Sequence, residues 1–185
     1  MPLAFIALGA NLPSPAGPPD ATLAAALPHL ALLGRIAARS SLYSTAPVGF
    51  ADQPRFLNAV VALSTDLAPR VLLEALLSIE RLFGRDRSAA LPNGPRTLDL
   101  DLLLYADLVL SESGFEIPHP RLAQRAFVLI PLVEIAPNAV NPRSGLTAAQ
   151  LLANLSPRAD AGEVVPFTSL LWPSESDRAS KEAES

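Results

Sequence analysis

The chain has 185 residues, of which 50% are hydrophobic and 17% are charged, and these proportions suit one globular domain with a sizeable core. The lack of any apolar run near the roughly 18 residues of a membrane span, together with a net charge of -4, argues against membrane and nucleic-acid partners. The first arginine or lysine is Arg35, so the basic start of a secretory signal is missing and we expect a cytoplasmic protein. Cysteine is absent and the single lysine, Lys181, lies in a polar terminal run, which excludes iron–sulfur clusters, disulfides and a Walker A loop.

Strand and helix patterns alternate along the first 105 residues. Short apolar or alternating runs bounded by glycine and proline indicate strands, and apolar residues that recur every three or four positions indicate helices. In chain order the patterns predict a strand over residues 3–8, a helix over 21–33 that Pro28 must kink or split, strands over 36–44 and 56–65, a helix over 69–83 and a strand over 97–105. This βαββαβ order predicts an α+β fold with a ferredoxin-like core, in which helices pack on one face of an antiparallel sheet.

Shorter elements are predicted after residue 105. Residues 108–110 can pair as a short strand, and residues 127–134 and 147–155 are expected to add C-terminal helices, the second of which has a capping-box spacing at Thr147 and Gln150. We expect residues 1–173 to form a single domain and residues 174–185 to form a polar, frayed tail.

Two aspartates lie on the last strand of the predicted core. Leucines at every second position from Leu98 to Leu104 share one face, while Asp99 and Asp101 share the other, with Cα atoms roughly 6.6 Å apart. Two carboxylates so close repel each other, and divalent cations that also bind nucleotide phosphates would relieve the repulsion. The pattern therefore indicates a Mg²⁺-nucleotide site, although two acids on a solvated strand face would look the same.

Arginines accompany this strand along the sequence. Guanidinium groups bind phosphate oxygens through paired hydrogen bonds, so a cluster beside the aspartates would favour nucleotide phosphates. The arginines that border the loop before the strand, and those that follow His119, are Arg85, Arg87, Arg96, Arg121 and Arg125. Each could instead serve only surface solubility.

The run NGPRTLDLDLL, residues 93–103, resembles a sequence of the 6-hydroxymethyl-7,8-dihydropterin pyrophosphokinase family. Similar runs occur in the same order elsewhere, namely ALGANL at 7–12, DQPRFLNAV at 52–60, IE at 79–80, IPHPR at 117–121 and PLVEIAP at 131–137. The resemblance covers about residues 3–155. It implies that pyrophosphate is transferred from ATP to 6-hydroxymethyl-7,8-dihydropterin in folate biosynthesis, giving AMP and the pterin diphosphate.

The resemblance also implies roles for individual residues, carried over position by position. Asp99 and Asp101 would bind two Mg²⁺ ions, and Arg85 and Arg96 would contact ATP phosphate during catalysis. The implied ATP-binding residues are Glu80, Arg87, Leu102, His119 and Arg125, and the implied pterin-binding residues are Thr45, Val48, Phe56, Asn58 and Phe127. Aromatic faces and a carboxamide suit a flat bicycle with amide and amine edges. ATP and the pterin would be the only partners of a monomer.

Two other functions could use the same features. A two-metal phosphohydrolase or nuclease could employ the aspartate pair, with Glu80 as the one obvious third acidic ligand, and it would hydrolyse its substrate without a pterin. A ferredoxin-like regulatory module could bind a small ligand without catalysis, and its binding would not change when Mg²⁺ is chelated.

Overall fold

The computed structural model describes residues 1–47, 52–86, 94–155 and 163–172. Some predictions concern residues outside these segments, namely Val48, Arg87 and the tail 174–185. Within the described segments, no helix has the combination of length and apolar character that a bilayer crossing requires.

A six-stranded antiparallel sheet forms the centre of the fold. Its strands are β1 (Leu3–Ala10), β2 (Arg35–Arg39), β3 (Leu42–Thr45), β4 (Phe56–Ser64), β5 (Asp99–Tyr105) and β8 (Val164–Phe167), and a separate hairpin consists of β6 (Leu110–Glu112) and β7 (Phe115–Ile117). The sheet order is β5-β1-β4-β3-β8, with β2 paired to β4 beside β3. β5 is thus an edge strand, and one side of its backbone is not used by the sheet.

Helices cover both faces of the sheet. They are α1 (Pro19–Ala31), α2 (Pro69–Leu82), α3 (Ala126–Ile135) and α4 (Ala148–Ala153). α1 and α2 enclose one apolar core with the sheet, and α3 and α4 enclose a second core on the opposite face. All nine residues of β4 are buried between the two cores, which explains its nearly continuous apolar sequence. The predicted α+β class and antiparallel sheet are confirmed, as is the capping box of Thr147 and Gln150. The expectation that helices pack on one face holds only for α1 and α2, because α3 and α4 bury the apolar side chains of the opposite face.

The segment predicted as one strand over 36–44 is divided into β2 and β3. Ser40 fills the gap between them, where its hydroxyl accepts from the backbone N–H of Val60 at 3.0 Å. The backbone N–H and the hydroxyl of Ser41 donate to the carboxylate of Glu134 on α3. Because a helix side chain satisfies these donors, the strand can leave the ladder there without losing hydrogen bonds.

The helix α1 starts two residues before the predicted first residue and is not split at Pro28. Pro19 lies in its first turn, where the missing N–H of proline leaves no intrahelical bond unmade. Gly34 then leads the chain into β2 so closely against β4 that a Cβ atom would lie 2.4 Å from the carbonyl oxygen of Ser64. Only glycine fits this turn.

A bulge interrupts the regular alternation of side chains along β5. Phe5 lies opposite Leu104 and Ile6 lies opposite Leu102, so Leu103 is an extra residue. Leu102 packs in the core beneath α1 and α2, whereas Leu103 and Leu104 pack in the core beneath α3 and α4. The prediction that all four leucines share one face is therefore wrong for Leu104, since the bulge shifts the alternation after Leu102. The bulge follows both aspartates and does not alter their orientation.

The predicted strand over 108–110 is also different in the structure. Its last residue, Leu110, begins β6, which pairs with β7 and not with the main sheet. The hairpin lies beside β5, where Phe115 and Ile117 join the core beneath α1 and α2.

Candidate active site

Two cavities meet at the edge strand β5. The first, which we call the sheet cavity, has a volume of about 260 Å³ and lies on the α3 side of the sheet, lined by Ala7, Leu8, Gly9, Thr45, Ala46, Phe56, Asn58, Ala59, Arg96, Asp99, Asp101, Arg121, Arg125, Phe127 and Val128. The second, the edge cavity, has a volume of about 400 Å³ and is lined by Leu73, Leu77, Leu100, Asp101, Leu102, Gly114, Phe115, Glu116, His119 and Pro120. Asp101 lines both cavities, so its carboxylate is within reach of a ligand in either one.

The register of three strands places the aspartates in the sheet cavity. Gly9 on β1 pairs with Asp99 on β5 and with Asn58 on β4, while Ala7 pairs with Asp101. Directly paired residues of antiparallel strands project on the same side, so both carboxylates share a face with the Asn58 amide. A Cβ atom on Gly9 would lie 3.1 Å from Asn58 Oδ1, and the missing side chain leaves the space between amide and carboxylate open.

Guanidinium groups surround the two carboxylates. Arg96 Nη1 lies 3.1 Å from Asp99 Oδ2, Arg85 Nη2 lies 3.6 Å from Asp99 Oδ1, and Arg125 Nη1 lies 3.6 Å from Asp101 Oδ2. Arg121 lines the same cavity, and its side chain has no carboxylate partner among the described residues. Four cationic groups thus face two anionic ones, giving the cluster a formal charge of +2 in a chain of net charge -4. This local excess attracts a polyanion.

His119 lies at the junction of the cavities in an uncharged form. Burial, aided by the nearby positive charges of Arg125 and Arg121, lowers the pKa of His119 from its ordinary 6.5 to about 4. Its Nδ1 accepts from the backbone N–H of Arg121 at 3.1 Å, so the proton of the neutral ring resides on Nε2. Nε2 lies 3.8 Å from Asp101 Oδ2, which is too far for a hydrogen bond but leaves a donor facing the cavities.

The described residues that the resemblance assigns to the pterin line one cavity together. Asn58 Nδ2 donates to Thr45 Oγ1 at 2.8 Å, which fixes the orientation of the carboxamide. The guanidinium of Arg96 lies 4.9 Å from the ring centre of Phe56, and that of Arg125 lies 5.4 Å from the ring centre of Phe127. Each aromatic ring is therefore already paired with a cation from the arginine cluster.

The assigned ATP residues occupy different surroundings. Leu102 and His119 line the edge cavity, while Arg125 lines the sheet cavity. Glu80 lines neither cavity, because its buried carboxylate accepts from the backbone N–H of Leu100 at 2.8 Å on the unpaired side of β5. Its structural effect is to tie α2 to the edge strand.

Sequence reasoning assigned no role to two residues near the aspartates. Gly9 lines the sheet cavity, and Asn11, which is 3% exposed, binds the loops on either side of it. Both belong to the run ALGANL, which contributed to the family resemblance but did not predict which residues these two positions contact. Their partners lie more than forty residues away along the chain, so no local pattern could identify them.

The aspartate pair has the donor chemistry of a Mg²⁺ site that a substrate completes. In the described part of the chain, no group of three histidine, aspartate or glutamate side chains is arranged to hold a metal ion. Asp99 and Asp101 can supply carboxylate oxygens, and Mg²⁺ commonly takes one or two carboxylates together with substrate phosphates and water. The surrounding arginines are suited to those same phosphates.

Known proteins resemble the chain both in sequence and in fold. The chain is 46% identical over 151 residues to the 2-amino-4-hydroxy-6-hydroxymethyldihydropteridine pyrophosphokinase of Pseudomonas aeruginosa, covering 80% of this chain and 89% of that protein. It is 44% identical over 159 residues to the protein of the same name from Methylorubrum extorquens, covering 85% and 96% of the two.

A solved structure of wild-type Plasmodium falciparum HPPK-DHPS with pteroate superposes with a TM-score of 0.64 at 16% identity. That match covers 82% of this chain and 44% of the solved one, so the chain spans less than half of that protein and the similarity concerns the fold. The family model described as 7,8-dihydro-6-hydroxymethylpterin-pyrophosphokinase matches residues 5–137. The match includes the aspartate pair, the arginine cluster and every residue named above as lining the two cavities, and the chain belongs to this pyrophosphokinase family.

Proposed function

We propose that the chain transfers the pyrophosphoryl group of ATP to 6-hydroxymethyl-7,8-dihydropterin and releases AMP. The observation that carries the proposal is the position of Asp101, which lines both cavities beside Asp99. A transfer between two bound molecules needs their reacting ends at one place, and Asp101 is the residue that the two cavities share. Relatives that bear the pyrophosphokinase name and share 44–46% identity with the chain support the same reaction.

In this proposal the sheet cavity holds the pterin. Phe56 and Phe127 offer aromatic faces to a flat ring system, and the Asn58 carboxamide, fixed by Thr45, offers both a donor and an acceptor to the ring edge. Val48 is proposed to complete this site. The aspartates line the same cavity, so the hydroxymethyl group would point toward β5.

The edge cavity would hold the nucleoside of ATP. Leu73, Leu77 and Phe115 give it apolar walls, and the unpaired side of β5 at Leu102 offers backbone groups to the adenine edge. His119 would donate from Nε2 to the phosphate chain, and Glu80 would keep the edge strand in place from α2. Arg87 is proposed as a further contact to ATP.

The phosphates would lie across Asp101 and enter the arginine cluster. Asp99 and Asp101 would hold two Mg²⁺ ions, which neutralise phosphate charge and orient the phosphate oxygens. Arg85 and Arg96 would then turn from Asp99 toward the phosphates and stabilise the charge that develops during transfer, while Arg125 and Arg121 would bind from the α3 side.

The chemical step is an in-line displacement at the β-phosphorus. The hydroxymethyl oxygen forms a bond to the β-phosphorus, and the bond between that phosphorus and the oxygen bridging it to the α-phosphorus breaks. AMP leaves with the bridging oxygen and its electron pair, while the hydroxyl proton passes to solvent. We assign no side chain as general base, since positioning and charge stabilisation supply most of the catalysis in phosphoryl transfer.

We further propose that the protein acts as a cytoplasmic monomer and that residues 1–173 form one domain. β8 adds to the sheet beside β3, and Trp172 packs in the core beneath α1 and α2. These contacts bring the last described segment into the same fold as the first strands.

The products of the reaction test the proposal directly. The purified protein, given ATP, Mg²⁺ and 6-hydroxymethyl-7,8-dihydropterin, is expected to form AMP and the pterin diphosphate in equal amounts, measured by chromatography. Formation of ADP would contradict pyrophosphoryl transfer. Hydrolysis of ATP without the pterin would favour the phosphohydrolase, and ligand binding that is indifferent to chelation of Mg²⁺, without turnover, would favour the regulatory module.

Gly9→Ala is expected to weaken pterin binding selectively. The added methyl group would lie 3.1 Å from Asn58 Oδ1, so the carboxamide must shift away from the orientation that Thr45 fixes. Overpacking of this kind costs about 1–3 kcal/mol, which corresponds to a KM for the pterin raised about 5- to 150-fold. The KM for ATP serves as the internal control, because Gly9 does not line the edge cavity. An unchanged pterin KM would show that the pterin does not lie against β1.

A further inference from the structure

The side chain of Asn11 connects the two loops that flank the sheet cavity. It follows β1 directly and is 3% exposed. Its Oδ1 accepts from the backbone N–H of Arg96 at 2.8 Å, and its Nδ2 donates to Gln53 Oε1 at 3.1 Å and to the carbonyl oxygen of Pro54 at 2.9 Å. Both N–H donors of the carboxamide and one lone pair of its oxygen are therefore used by residues that are remote in sequence.

The backbone at Asn11 strengthens the hold on Arg96. The N–H groups of Asn11 and Leu12 both donate to the carbonyl oxygen of Arg96, at 3.0 Å and 3.1 Å. Together with the side-chain contact, residues at the end of β1 thus bind both polar backbone groups of Arg96. The loop that precedes β5 is fixed to β1 at the residue whose guanidinium pairs with Asp99.

The other side of the Asn11 carboxamide fixes the approach to β4. Pro54 lies two residues before Phe56, over whose ring the Arg96 guanidinium is stacked at 4.9 Å. The Asn11 side chain therefore fixes the position of the Arg96 backbone and the position of the chain just before β4, the strand that carries Phe56 and Asn58. These three side-chain bonds, together with the two backbone bonds to Arg96, therefore help to set the gap between the groups proposed to bind phosphate and those proposed to bind the pterin.

We infer that Asn11 is a positioning residue, which fixes the distance between the phosphate-binding Arg96 and the pterin-binding start of β4 without touching either substrate. The inference rests on the proposed function for its kinetic consequence. We call the three hydrogen bonds of the Asn11 side chain the bridge. A displacement of about 1 Å in a transfer site can reduce turnover about 100-fold, so loss of the bridge is expected to reduce turnover by a factor of that order.

Two substitutions separate the halves of the bridge. Asn11→Asp keeps an oxygen that accepts from the Arg96 N–H but removes both donors to Gln53 and Pro54. Asn11→Ala removes both halves. The matched control is Thr65→Val at the opposite end of β4, because the fully buried Thr65 hydroxyl also bridges two segments, donating to the carbonyl oxygen of Leu33 at 2.6 Å and accepting from the N–H of Leu67 at 3.2 Å.

The kinetic test measures kcat and both KM values well below the unfolding temperature of each variant. Asn11→Asp is expected to raise the pterin KM with little effect on the ATP KM, and Asn11→Ala is expected to lower kcat as well, by about 100-fold. Thr65→Val should lower the unfolding temperature to a similar extent and leave all three constants near those of the wild type. Wild-type constants in Asn11→Ala, or equal kinetic losses in Thr65→Val, would overturn the inference.

A second measurement does not depend on activity. Amide hydrogen exchange at Arg96 is expected to be slow in the wild type and in Asn11→Asp, and at least about 10-fold faster in Asn11→Ala, because only alanine removes the acceptor of that N–H. Slow exchange at Arg96 in Asn11→Ala would overturn the positioning role. If the wild type formed no AMP, the proposed function would fail, and the exchange rates would still decide whether Asn11 holds Arg96.

Discussion

Asp101→Asn is expected to reduce kcat by about 10²- to 10³-fold while the protein stays folded, because a neutral amide is a much weaker ligand than a carboxylate for the Mg²⁺ that Asp101 is proposed to hold. Asp101 lines both cavities, so the loss falls at the place where the two substrates are proposed to react. Asparagine has nearly the same shape, and Asp101 is partly exposed, so packing around β5 should be retained. Steady-state AMP formation measures the loss, and circular dichroism checks the fold.

Asp99→Asn should have a kinetic effect of the same order and a larger effect on stability. Asp99 lies between Arg85 and Arg96 and is 18% exposed, so its charge offsets the repulsion between two guanidinium groups. Ion pairs near the protein surface contribute up to about 1 kcal/mol each, so the loss of two should lower the free energy of unfolding by about 1–2 kcal/mol. Urea denaturation of Asp99→Asn and Asp101→Asn side by side measures the difference.

The control for both aspartates lies on the same chain segment. Asp107 is exposed just beyond the opposite end of β5, and Asp107→Asn removes the same charge without touching either cavity. It should leave AMP formation unchanged. The Mg²⁺ dependence separates metal binding from other roles: the half-saturating Mg²⁺ concentration should rise in the two site variants only. If Asp99→Asn and Asp101→Asn both kept wild-type turnover and Mg²⁺ dependence, the aspartates would not bind the metal and the proposed mechanism would be wrong.

Arg96→Ala is expected to lower kcat by about 10²-fold, and Arg96→Lys is expected to recover only a small part of the loss. The guanidinium of Arg96 pairs with Asp99 at 3.1 Å and stacks on the ring of Phe56 at 4.9 Å. Lysine keeps the charge but lacks the planar fork that binds phosphate oxygens in pairs and stacks on aromatic rings. Steady-state kinetics with both substrates should show the loss in kcat more than in the ATP KM.

An arginine that lines neither cavity provides the control for this substitution. Arg81 lies exposed on α2, where its side chain contacts the Ser78 hydroxyl at 2.7 Å. Arg81→Ala should retain wild-type turnover. Full recovery in Arg96→Lys would mean that Arg96 contributes a point charge alone, and an unchanged kcat in Arg96→Ala would contradict its catalytic role.

The sequence alone determined the features that follow from short-range periodicity and local chemistry. The alternation from residue 97 onward put Asp99 and Asp101 on one strand face, because side chains of a strand alternate with a fixed period of two. The three- and four-residue spacing of apolar residues predicted α2 within one residue, since Pro69 and Gly84 bound it. The motif runs predicted the family, and the order of strands and helices predicted the antiparallel sheet.

Tertiary structure alone decided the features that depend on distant partners. The bulge at Leu103 arises from the pairing of β5 with β1, and the gap at Ser40 arises from contacts with β4 and α3, so neither has a local signal. β8 contains a proline and pairs with β3 more than a hundred residues earlier in the chain. The approach of Arg125 to Asp101 likewise requires α3 to pack on the sheet. In a regular strand the local sequence sets which side a residue faces, but the pairing and packing of remote segments decide where that alternation breaks and what each side chain contacts.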